Sequence, residues 1–177
     1  MFKKLLLIII PFILFSCTSS VDEVEIKKAN QFFESIFQDR VLDSPEFQAS
    51  LGYKSNYDKW DDITWQNSRR KAKQAIDDLA YLRENINFDK LDESTKISYL
   101  LMEKRLQRTI DNDKFIFHGY MITHRGGKHS SIPSFLINYH KIDEEQDVKD
   151  YIGRLRNIES LMNDPVSYTH LTLPTKA

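Results

Sequence analysis

Residues 64–110, TWQNSRRKAKQAIDDLAYLRENINFDKLDESTKISYLLMEKRLQRTI, read as two helices joined by a turn. Apolar residues fall at Trp65, Ala72, Ile76, Leu79, Leu82 and Ile86, then at Ile97, Leu100, Leu101, Leu106 and Ile110. Steps that are mostly three, four and seven place each set along one helix side, because about 3.6 residues complete a turn. Asp92 stands where a capping carboxylate would accept the first free backbone N–H groups of the second helix. Asn85 to Asp89 leaves room for a tight connection, so the two helices are expected to pack antiparallel.

Working outward, Ile26, Ala29, Phe33, Ile36, Phe37 and Val41 form an earlier stripe. Asp22, Glu23 and Glu25 lie near its start, where negative charge suits the helix dipole. Ser44-Pro45-Glu46 opens a short helix, with Ser as cap and Pro in the first turn, and Gly52 offers the stop. Lys54 to Ile63 is a polar and aromatic connection that Tyr57 and Trp60 are expected to pin to the body. Phe115 to Ser131 reads as an ordered loop, and Pro133 is expected to begin a short helix. A last helix is expected from about Glu144 to Leu161, with Val148, Tyr151, Ile152, Leu155, Ile158 and Met162 as its stripe. No alternating strand pattern and no internal repeat is evident. The expected fold class is all-α: amphipathic helices in an incomplete helical domain, preceded by a signal helix.

The 177 residues, 41% of them hydrophobic, suffice for one domain with a real core. A formal net charge of -1 argues against a nucleic-acid partner, which calls for a basic excess. The single cysteine excludes an intramolecular disulfide.

That cysteine sits at a telling place. Lys3 and Lys4 precede an apolar run from Leu5 to Phe15, too short to span a bilayer and suited to a secretion signal. Leu14-Phe15-Ser16-Cys17 then resembles a bacterial lipobox, whose thiol receives a diacylglycerol. The expected division is a signal peptide at 1–16, a tether at 17–22 and a helical domain at 23–164. The expected partner is a lipid bilayer through acylated Cys17, at the outer membrane or periplasmic face of a bacterial envelope. Residues 165–177 lose the helical pattern and nearly all charge, and resemble translated sequencing adapter, so they are expected to be non-native.

No histidine is followed by Glu, so no H-E-x-x-H zinc helix is present. Gly126-Gly127-Lys128 lacks the first glycine and the strand of a phosphate-binding loop. Asp39, Asp43 and Glu46, and likewise Asp58, Asp61 and Asp62, lack the spacing of a calcium loop and read as capped, solvated loops. No catalytic or metal-ligating residue is assigned. The candidate cleft-facing loop is His124, Arg125, Gly126, Gly127, Lys128 and His129.

Three stretches carry a family resemblance. They are Ser44 to Gly52 with Asn56-Tyr57-Asp58-Lys59-Trp60-Asp61-Asp62, then Ile97-Ser98-Tyr99-Leu100-Leu101, then Gly127 and Ile132 to His140 with Asp150 to Leu155. Over roughly Ala29 to Asp164 the chain resembles the bacterial domain family of unknown function numbered 885. The resemblance implies a largely helical lipoprotein similar to gluzincin zinc metallopeptidases. In that family the zinc-binding His-Glu motif, followed by Pro-Gly-His, lies far downstream, so no catalytic residue transfers to a position here. It further implies a longer parent that holds zinc and hydrolyses a peptide-like substrate. The leading expectation is therefore an inactive N-terminal fragment of such a protein. The alternative is a complete small helical lipoprotein that binds or scaffolds partners in the envelope.

Overall fold

A computed structural model describes residues 21–118 and 122–172, with side chains through residue 163. Cys17 and the signal segment lie outside the described residues. Among the described residues the chain is all-α apart from one small hairpin. Its elements are α1 (Glu23–Leu42), α2 (Pro45–Ser50), α3 (Trp65–Asn85), α4 (Glu93–Asn112), β1 (Ile122–Thr123), β2 (Gly126–Gly127), α5 (Lys128–Asn138) and α6 (Glu145–Thr172).

Local chemistry sets the helix starts. Asp22, Ser44, Thr64 and Asp92 each accept a backbone N–H from the first turn of α1, α2, α3 and α4, respectively. Each cap satisfies one donor that the helix cannot pair internally and contributes about 1 kcal/mol. Gly52 ends α2 with a φ of +85°, where a side chain would be strained.

The helices enclose two cores. In the first, Ala29 and Ile36 of α1 meet Ala75, Leu79 and Leu82 of α3 and Tyr99 and Leu106 of α4, with Ile86 and Leu91 closing the α3–α4 turn. The Phe32 ring stacks on Tyr81 at 4.7 Å and ties α1 to α3. The second core joins Ala49 of α2, Tyr57 of the connector, Ile132, Phe135 and Leu136 of α5 and Leu161 of α6.

The structure departs from the sequence reading at four places. Phe37, Ile76, Ile97, Leu100, Leu101, Val148, Ile152 and Leu155 lie on expected apolar stripes and are exposed, while Ala75 and Tyr99, outside those stripes, face the core. α3 and α4 carry apolar residues around more than one face, so periodicity alone leaves open which face packs. The segment expected as loop up to Ser131 folds into the β1–β2 hairpin and the first turn of α5. Pro133 therefore sits inside α5 instead of opening it. The last helix continues through Thr172, well past Leu161.

Candidate functional site

The inward face of α6 is built on an unexpected pair, Asp147 and Arg154, both essentially inaccessible to solvent. Two helical turns separate them, so they point the same way as Tyr151 and Leu161. A buried guanidinium needs partners for its N–H groups. Nε of Arg154 donates to the Lys59 carbonyl at 3.0 Å, and Nη2 donates to the Pro45 carbonyl at 3.4 Å. Nη1 meets Nδ1 of His140 at 3.1 Å. The rings of Phe135, Tyr57 and Trp60 surround its carbon at 4.6, 5.1 and 5.5 Å. These faces stabilise a cation that has no carboxylate at bonding distance among the described residues.

His140 links the arginine to the start of α6. Its Nε2 lies 2.9 Å from the Asp147 carbonyl, and its ring stacks on Tyr57 at 4.1 Å. Nδ1 faces a donor, so Nε2 carries the proton and the imidazole is neutral. Burial, helped by the neighbouring Arg154 charge and opposed by the bond to the Asp147 carbonyl, pushes its pKa below the ordinary histidine value. The Asp147 carboxylate accepts the backbone N–H groups of Asp143 and Glu144 at 2.8 and 3.0 Å and the Lys54 ammonium at 2.7 Å. Those bonds, with Lys54 the largest cause, hold Asp147 below the usual carboxylate range and raise Lys54. Trp60 donates its indole N–H to the Arg154 carbonyl at 2.9 Å. α2, the connector, α5 and α6 thus converge on one guanidinium.

Beside this hub lies the sequence-assigned loop. Thr123 Oγ1 donates to the Gly126 carbonyl at 2.9 Å and closes the hairpin. Gly127, at φ 145° and ψ -170°, occupies backbone space that essentially glycine alone enters. Lys128 reaches Glu46 of α2 at 2.9 Å and fixes the hairpin against the body. His124, Arg125 and His129 are exposed and do not join the hub. Among the described residues, no group of three His, Cys, Asp or Glu converges as a metal ion would require.

A second feature is a groove of about 620 Å³ lined by α1, α2, α3 and α4, with Asp39, Arg40, Asp78 and Arg105 among its lining residues. Neither the hub nor this groove was assigned from sequence. Arg154 was legible as a charge on the stripe of Tyr151, Ile158 and Leu161, three and four residues from its neighbours. The groove gave no linear signal, because its residues come from four helices and the segments between them.

An all-helical body with a polar-centred second core defines the class. The family model described as "Bacterial protein of unknown function (DUF885)" matches residues 45–169, and the chain belongs to that family. The match begins at Pro45, where α2 starts, rather than near Ala29, and runs past Asp164. No curated protein and no solved structure matches the chain.

Proposed function

We propose that this chain is the helical N-terminal part of a longer envelope lipoprotein, resembling zinc peptidases, that walls a substrate cleft without holding the metal. Family membership supports the reading, and one observation carries it. Two outward apolar rows run at helical spacing, Ile97, Leu100 and Leu101 on α4 and Val148, Ile152 and Leu155 on α6. Covering one such side chain contributes about 1.5–3 kcal/mol, so rows of them fit a surface that further chain covers. The segment from His124 to His129, the end of the hairpin and the start of α5, is the piece proposed to face the cleft. Cys17, acylated, is proposed as the anchor, and residues 165–177 as non-native.

The DNA beyond the codon for Asp164 tests the first part. An open frame encoding the downstream His-Glu motif supports it, and a native stop codon there supports the small scaffold instead. Stoichiometric zinc binding with peptide cleavage by this chain would overturn it. Palmitate labelling tests the anchor: Cys17→Ala is expected to abolish label and membrane partition together, and unchanged partition refutes it.

A further inference from the structure

α6 is moored at two points. Among the described residues, every hydrogen bond and ion pair between α6 and the rest of the chain runs through Asp147 or Arg154. The rest of its hold is apolar, from Tyr151, Ile158, Leu161 and Met162. Both mooring residues also touch one titratable ring. His140 sets Nε2 against the Asp147 carbonyl and Nδ1 against the Arg154 guanidinium, with the Tyr57 face at 4.1 Å and the Tyr151 edge at 5.2 Å.

The second core is furnished for a single cation. Arg154 keeps its charge throughout the physiological range. The Asp147 carboxylate is already taken by Lys54 and by two backbone N–H groups. From the connector, Lys54 adds positive charge 6.0 Å from the Tyr57 ring, and Phe135 of α5, whose carbonyl accepts the His140 N–H, adds none. The Asp147 carbonyl and the charges of Asp147 and Asp150 favour a proton on the imidazole, but burial and Arg154 outweigh them. A protonated ring would stand 3.1 Å from the guanidinium with no free carboxylate between them. Two like charges that close and buried repel strongly, and parting them is the cheaper response.

We propose that His140 is an acid-operated latch on α6: protonation parts the imidazole from Arg154 and lets α6 swing off the second core while the core under α1, α3 and α4 stays closed. Opening uncovers the inward faces of Phe135, Tyr151 and Leu161. The latch uses only this chain's own residues and does not depend on the proposed function.

Backbone amide exchange of the full chain at pH 7.5 and pH 5, each rate divided by the intrinsic rate at that pH, tests it. An open ring with the ordinary pKa of about 6.5 multiplies the opening constant by at most about thirtyfold at pH 5. Protection of the Tyr151 and Arg154 amides is therefore expected to fall about ten- to thirtyfold. At pH 5 it should also lie at least about tenfold below that of Leu79 and Leu82, which report unfolding of the whole chain. In His140→Gln, which still offers an acceptor and a donor but cannot titrate, the pH response of the α6 amides should shrink below about threefold. Equal protection of the two cores at pH 5 overturns the latch, as does an α6 response that is absent in the parent or persists in the variant. Should the variant fail to fold, imidazole NMR of the parent decides. A His140 midpoint below 6.5 that coincides with the loss of α6 protection supports the latch, and a midpoint at or above 6.5 refutes it.

Discussion

Arg154 and His140 meet guanidinium to imidazole, Nη1 to Nδ1 at 3.1 Å, with the histidine as acceptor. The contact exists only while the ring is neutral. A proton on Nδ1 would turn that acceptor into a donor facing a cation and remove the bond. One titratable ring thereby joins the α5–α6 connection to the centre of the second core.

Stability should therefore fall in mild acid. His140 has a depressed pKa in the fold, so the unfolded chain binds its proton first. The contribution is fully present above the ordinary histidine value of about 6.5 and is lost as pH falls through the lower folded value. Thermal melts between pH 8 and 5 are expected to show this loss, and His140→Gln should flatten it. A wild-type profile identical to that of the variant would contradict the linkage.

Removing the arginine should be severe. Arg154→Ala leaves the Lys59 and Pro45 carbonyls and His140 without their donor and opens a void among three rings. A loss of about 3 kcal/mol or more is expected, from unmet buried polar groups and the cavity together. Arg154→Lys should recover a minor part, since an ammonium cannot reproduce the planar fork. Urea titration followed by tryptophan fluorescence measures both, because Trp60 lies against the site.

Gly153 lets α6 approach the connector. A Cβ there would stand 3.1 Å from the Asp58 Cβ, closer than ordinary contact. Gly153→Ala is expected to cost about 1–3 kcal/mol by forcing the helix outward, despite the better helix propensity of alanine. A melting temperature equal to or above that of the parent would show that the connector yields instead.

Asp78 should behave in the opposite way. Its pKa is raised by burial and by Asp39 and Asp77, so its ionised form is disfavoured in the fold. A raised carboxyl contributes stability below its unfolded value and loses it as pH rises through the folded value. Asp78→Asn should thus raise the melting temperature at pH 7 by roughly 1–3 °C and have little effect near pH 3. A decrease at pH 7 would mean that the carboxylate has a stabilising partner.

The helices were legible from the sequence because their signals are local. Ser44 with Pro45, and Asp92 before its stripe, mark their own starts. Rotational phase was less legible. α4 carries Ile97, Leu100 and Leu101 beside Tyr99, Met102 and Leu106, and periodicity cannot say which row meets α3. The hub was missed because Arg154 was passed over for Leu155, one position along and exposed. A charge on an inward stripe reads as an interruption until its carbonyl and imidazole partners, some ninety residues and fourteen residues away, are known. The glycines at 126 and 127 mark a break in the helical pattern, but the hairpin geometry there depends on pairing that four residues cannot announce.

The division of the interior into separate clusters, one under α1, α3 and α4 and the other under α2, α5 and α6, bears on how the molecule comes apart. Subglobal opening follows such seams. Deuterium should enter the amides of Phe135 and Leu136 well before those of Leu79 and Leu82, and a protease should nick the α5 side while the α3–α4 hairpin survives as a resistant remnant.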